Sequence, residues 1–129
     1  MAISTTSEDM LALAERFMTA VAGGDLRTVR EIYADDAVIW HNNDRSSQGV
    51  DENLRVLEWI QRNITDVRYE EVQRLATDSG FVEQHVLRGR TLKGAELDVP
   101  ACLVCTVIEG RITRLEEYLD SAHLAPLLG

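Results

Sequence analysis

The sequence predicts an α+β fold: a cone-shaped, strongly bent antiparallel sheet with three helices packed on one face. Three observations carry this. Residues 7–63 hold three stretches of helical apolar spacing, interrupted by one short run of β-formers at Ala37–His41. From Thr65 onward the apolar period drops to two, and four strand-length segments follow. Only a few residues join each segment to the next, which makes neighbouring strands antiparallel. The order α-α-β-α-β-β-β-β packs helices on one sheet face and leaves an open end suited to a ligand cavity.

Taken in order, Ser7–Ala22 reads as an amphipathic helix. Ser7 caps it, Glu8 and Asp9 suit its positive end, and Leu11, Ala14, Phe17, Met18 and Val21 recur at helical spacing. Gly23-Gly24 ends it, and Asp25 caps a second helix over Leu26–Tyr33. Asp35-Asp36 is expected to close that helix before the strand Ala37–His41. Asn42–Gly49 is polar and turn-prone. A third helix over Val50–Asn63 places Val50, Leu54, Leu57 and Ile60 inside and Trp59 on a flank. Strands are expected at Asp66–Leu75, Phe81–Arg90, Glu96–Ile108 and Arg111–Leu119, the last two joined by Glu109-Gly110. Val99–Ile108 is apolar at nearly every position, so it is expected to be central and buried on both faces, with Pro100 at a bend or an edge-free position near its start. From Ser121 a short helix or cap closes the chain.

At 129 residues and 14.5 kDa, with 45% apolar and 27% charged residues, the chain reads as a single globular domain over 1–129. Its net charge of −9 makes nucleic acid and anionic membranes poor partners. No uninterrupted apolar run approaches a membrane span. The N-terminus is rich in Ser, Thr, Glu and Asp, with no basic region leading into an apolar one, so no secretory signal is expected and the cytoplasm is the default. Cys102 and Cys105 point to opposite strand faces, which disfavours a disulfide or a shared metal and favours two small buried hydrophobes. The histidines show no H-x-H or H-x3-H spacing, so no metal is expected.

The densest group of hydrogen-bonding side chains is His41-Asn42-Asn43, closing the run Y-A-D-D-A-V-I-W-H-N-N at Tyr33–Asn43. That run, together with G-G-D-L at Gly23–Leu26, E-G-R-I-T at Glu109–Thr113 and E-E-Y-L-D at Glu116–Asp120, resembles the nuclear transport factor 2-like superfamily in its SnoaL-like branch. The resemblance covers nearly the whole chain and implies one SnoaL-like domain with a cystatin-like α+β barrel. The superfamily includes ketosteroid isomerases, limonene epoxide hydrolases, scytalone dehydratases, polyketide cyclases and members with no known activity, so it specifies fold well and chemistry poorly.

Matching positions implies more. His41 falls where the isomerases carry an aspartate base and the epoxide hydrolases a pocket asparagine, so it is expected to face the cavity. Asp120 matches a strand-terminal aspartate that acts as acid or base in the hydrolases and is implicated in the cyclases. Phe17 stands in place of the isomerase oxyanion tyrosine, and an apolar residue or cysteine near Ala101–Leu103 replaces that site's buried acid, which argues against steroid isomerisation. Glu83, Gln84 and His85 stand where the hydrolases have Arg-x-Asp; the register is open by one residue, so either His85 or Gln84 lines the pocket. A second imidazole at His85 would resemble the paired histidines of scytalone dehydratase.

The leading reading is a cofactorless acid–base enzyme of isomerase, cyclase, dehydratase or hydrolase type, acting on a mostly apolar small molecule. His41, with an ordinary pKa near ~6.5, is the expected base. Asp120 is its expected partner or the complementary acid. Asn42 and Tyr118 would orient substrate or water, and Phe17, Met18, Tyr33, Trp40, Leu57 and His85 would meet the ligand. Blander readings stand beside these: a hydrogen-bonded loop histidine at 41, turn-forming asparagines, an Asp120 that caps the tail helix, and a His85 facing solvent or a dimer interface. The alternative function is a non-catalytic small-molecule-binding or dimerisation module. Convergence of His41 and Asp120 would favour the enzyme and divergence the module. The resemblance also implies a homodimer paired through the open sheet face.

Overall fold

In the computed structural model, which describes residues 6–128, helix α1 (Ser7–Gly23) begins one residue past its true cap. Thr6, not Ser7, is the N-cap: its hydroxyl accepts from the Asp9 amide at 3.0 Å, and the Asp9 carboxylate accepts from the Thr6 amide at 3.2 Å. This reciprocal box satisfies two helix-end donors that Ser7, already helical, does not reach. Residues 1–5, part of the stretch read above as lacking a secretory signal, lie outside the described residues. Gly24 closes α1 in the left-handed region at φ 70°, and Asp25 caps α2 (Leu26–Ile32) through the Thr28 amide.

Strand β1 (Tyr33–His41) follows α2 with no intervening turn. Tyr33 is already extended at φ −71° and ψ 138°, so Asp35-Asp36 does not stop the helix but lies exposed on the strand. The expected loop at Asn42–Gly49 contains a two-residue strand, β2 (Ser47–Gln48), paired with Ile39 and Trp40. Helix α3 (Val50–Asn63) runs directly into β3 (Ile64–Ala76), and β4 (Gly80–Thr91), β5 (Glu96–Ile108) and β6 (Arg111–Leu119) complete the sheet. A 3-10 turn (Ser121–Leu124) and a short helix α4 (Ala125–Leu128) form the tail.

The sheet order is β2-β1-β6-β5-β4-β3. All neighbours are antiparallel except β1 and β6, which run parallel, so the sheet is mixed and is not closed into a barrel. The α+β cone is therefore the observed architecture. Helices α1–α3 bury Ala14, Phe17, Val29, Ile32 and Leu54 against inward residues such as Ile39, Phe81, Leu103 and Ile112. Strand β5 is central, but it is buried on one face only. Val99, Leu103, Cys105 and Val107 are buried, whereas Pro100 is exposed and Cys102, Val104 and Thr106 are half-buried on the outer face, which no helix covers. Cys102 and Cys105 do lie on opposite faces and are free thiols. Among the described residues no helix is long and apolar enough to cross a membrane.

Beside a register shift between β1 and β6 at Tyr33–Val38, three bulges decide which residues of β3 and β6 face inward. Strand β3 gains one residue relative to β4 between Thr65 and Arg68, and again between Glu70 and Gln73. Strand β6 gains one relative to β5 between Ile112 and Arg114. Each bulge inverts which residues face inward. Before the second β3 bulge Tyr69 faces in, and after it Arg74 does; on β6 the inward set becomes Leu115, Glu117 and Leu119.

Candidate active site

The ionisable side chains of the inner face fall on one transverse row and its neighbour. His41 on β1 lies opposite Glu117 on β6, Glu117 opposite Leu103 on β5, Leu103 opposite Glu83 on β4, and Glu83 opposite Arg74 on β3. In the next row His85 lies opposite Ala101. The sheet thus carries two carboxylate–imidazole pairs, His41–Glu117 and His85–Glu83. They border a cavity of about 280 Å³ between the sheet and helices α1 and α3. Its walls are largely apolar, with Phe17, Met18, Leu57, Ile60, Leu103 and Leu115 among them.

The deeper pair is the more constrained. Glu83 is fully buried, and both of its oxygens are occupied: Oε1 accepts from Arg74 Nε, and Oε2 lies 2.5 Å from His85 Nδ1. Arg74 also donates to Glu15 of α1, whose carboxyl pKa it holds below the ordinary value. Burying a carboxylate is costly unless it is paired and hydrogen-bonded, and this one is. An ionised Glu83 can only accept, so Nδ1 of His85 carries the proton, and in the neutral imidazole Nε2 presents a lone pair. His85 is buried, lines the cavity, and its Nε2 has no hydrogen-bond partner among the described residues. An unpaired buried polar atom costs about 1–3 kcal/mol and marks a place where something is missing. The Tyr69 ring packs edge-on against the His85 ring, with centroids 4.7 Å apart, and also lines the cavity.

The second pair sits where β1 leaves the sheet. His41 Nε2 is 3.2 Å from Glu117 Oε1, with both side chains about one-fifth exposed. That hydrogen bond raises the His41 pKa above the ordinary value, outweighing the opposing effect of partial burial. Between the pairs, the buried Tyr33 hydroxyl donates to Asn53 Oδ1 at 2.8 Å, and the Asn53 amide donates to Gln48 Oε1 at 3.4 Å. Burial holds the Tyr33 and Tyr69 phenols protonated well beyond their ordinary range.

Of the residues singled out from sequence, His41, His85, Phe17 and Tyr33 line the cavity, as do Met18 and Leu57. The open choice on β4 resolves to His85: Gln84 is exposed on the outer face. Four others lie elsewhere. Asp120 is exposed, falls outside the cavity lining and caps the 3-10 turn by accepting from the Ala122 amide at 2.9 Å. His41 therefore has Glu117, not Asp120, as its carboxylate. Tyr118 and Trp40 lie on the outer face, packed edge-to-face with centroids 5.4 Å apart. The β6 bulge turns Glu117 inward and Tyr118 outward, and in β1 Trp40 alternates with the inward Ile39 and His41. Asn42 uses its Oδ1 to accept from the Leu119 amide at 2.9 Å, tying β1 to β6.

Sequence reasoning missed Glu117, Arg74 and Tyr69, and noted Glu83 without a role. A signal existed for Glu83: it shares strand parity with His85, Phe81 and Leu87. No comparable signal existed for Arg74 or Glu117, which reach the inner face only through bulges.

The chain matches the SnoaL-like domain family over residues 14–115. No curated protein sequence matches it. Among solved structures, it resembles PrhC of Penicillium brasilianum at 12% identity, covering 95% of this chain and 87% of that one, with a TM-score of 0.84. A protein of Xanthomonas campestris pv. campestris named as a polyketide cyclase shares 16% identity over 92% of this chain and 95% of its own, with a TM-score of 0.80. A nuclear transport factor 2-like protein of Burkholderia xenovorans shares 16% identity over 94% and 96%, with a TM-score of 0.78. At these identities the likeness is one of fold.

Proposed function

The chain belongs to the SnoaL-like domain family, and we propose that it is an acid–base enzyme of isomerase or cyclase type, acting on a mostly apolar small molecule in the cone cavity. The observation that carries this is the unpartnered Nε2 of His85, a lone pair fixed by the buried Glu83–Arg74 pair at the wall of an apolar cavity. His85 is the general base, Glu83 and Arg74 position it, and His41 with Glu117 is the second proton-handling group. The raised pKa of His41 suits it to give a proton where His85 takes one. The free thiols agree with a cytoplasmic location. The outer sheet row Leu75, Val82 and Val104, beside Tyr118 and Trp40, supports a homodimer paired through that face.

A non-catalytic binding module is the second reading, favoured by Asp120, which caps the tail and stays out of the cavity. Solvent exchange separates the two. Incubated in deuterated water with apolar hydroxyketones, the protein should speed deuterium incorporation at carbon, followed by NMR, and His85→Gln should slow it by about 10²–10⁴-fold. Ligands that bind but exchange no protons would leave only the binding module.

A further inference from the structure

The walls of the cavity sort ligands by charge. Among the described residues no lysine or arginine lines it, whereas Glu117 and Asp44 do. The inward-facing cation of β3, Arg74, is already taken by Glu83 and Glu15. A carboxylate or phosphate entering here would lose its hydration with no cation free to meet it, since His41 is already held by Glu117, and it would lie beside two acidic groups.

Hydrogen-bonding capacity narrows the choice further. Nε2 of His85 has no partner and, in the neutral ring with Nδ1–H given to Glu83, it accepts. Tyr69 packs edge-on against the same imidazole and lines the cavity beside it. Tyr33 has already spent its proton on Asn53. The group that completes this corner must therefore donate to Nε2, and one that can also accept meets the Tyr69 phenol on the adjoining wall. A ketone only accepts, an ammonium only donates, and a carboxylate only accepts and is repelled. A hydroxyl does both.

We propose that the ligand of this cavity is an uncharged hydrophobe bearing an alcoholic or phenolic hydroxyl, which donates to His85 Nε2 and accepts from the Tyr69 hydroxyl. This rests on the reading of the cavity as a small-molecule acid–base site. It makes Tyr69 a contact of the hydroxyl oxygen.

Binding of three bicyclic probes by calorimetry tests it without turnover: 2-naphthol, its methyl ether 2-methoxynaphthalene, and 2-naphthoate. The naphthol should bind about tenfold or more tightly than either of the others, the loss expected for one to two hydrogen bonds. Tyr69→Phe, which keeps the ring against His85, should erase most of that preference, and His85→Phe the rest. Equal affinity for naphthol and its ether in the wild type overturns the assignment, as does naphthoate binding as tightly as naphthol, or no binding of naphthol at all. The comparison among ligands stands even where the His85 variant fails to fold. If the naphthol shows no preference while His85→Gln still slows proton exchange, the hydroxyl assignment falls and the acid–base reading stands. If the preference holds but no protons exchange, the reverse is true.

Discussion

At the scale of single residues, the chemistry of this protein is decided by what each imidazole faces. His41 and His85 both touch a carboxylate, yet they do so through different ring nitrogens. Glu83 is consumed by Arg74, so it orients His85 and leaves Nε2 open. Glu117 binds His41 through Nε2 and favours its proton. The consequence is a pH dependence with a definite sign. A folded-state pKa raised above the unfolded value near ~6.5 means that the pair stabilises the fold fully below that pH. The contribution is then lost as pH rises through the folded pKa. An NMR titration should place the His41 midpoint above its ordinary value, and Glu117→Gln should bring it down. The stability gap between wild type and His41→Gln should narrow as pH is raised from about 6 to 9. A His41 midpoint indifferent to Glu117→Gln would show that the pair does not form.

Secondary-structure elements supply the geometry. The short connection Glu109-Gly110 is a tight hairpin turn with both residues left-handed, at φ 52° and 77°. Two positive φ values in succession match the twist of the flanking strands, but glutamate is a poor occupant of the first. Glu109→Asn should therefore raise thermal stability, by up to about 1 kcal/mol, because asparagine tolerates this region better. Thermal unfolding measures it, and a lower melting temperature would count against the turn. The bulges on β3 and β6 are elements of the same kind, with Glu71 at φ 54° beside the one that brings Arg74 to Glu83. Here the left-handed residue is tolerated because the bulge completes a buried ion pair.

For the whole molecule, helices cover one sheet face and leave the other open. That asymmetry builds the cavity on one side and leaves Leu75, Tyr118 and Val72 partly exposed on the other or at its edge. A homodimer joined through the open face would cover them. Sedimentation should then give twice the 14.5 kDa chain mass, and Val104→Arg, at the middle of the outer apolar row, should give the single chain. A monomeric wild type at micromolar concentration would remove the dimer from the proposal.

The sequence by itself determined the elements and their order, the two-residue β2 apart, since apolar period, caps and turn residues are local properties. It also determined that Glu83 and His85 share a face, because they are two residues apart on one strand. Helix stops were less legible: Asp35-Asp36 looks like a terminator, but Tyr33 turns extended first, held by pairing with Ile112 far along the chain. Only the tertiary structure decided which side of β6 and of late β3 faces the cavity. One extra residue in a strand inverts every side chain beyond it, and where that residue is accommodated depends on the partner strand. That is why Tyr118 and Asp120 gave way to Glu117, and why Arg74 meets Glu83. The site is assembled by pairings between strands distant in sequence, and no local pattern records them.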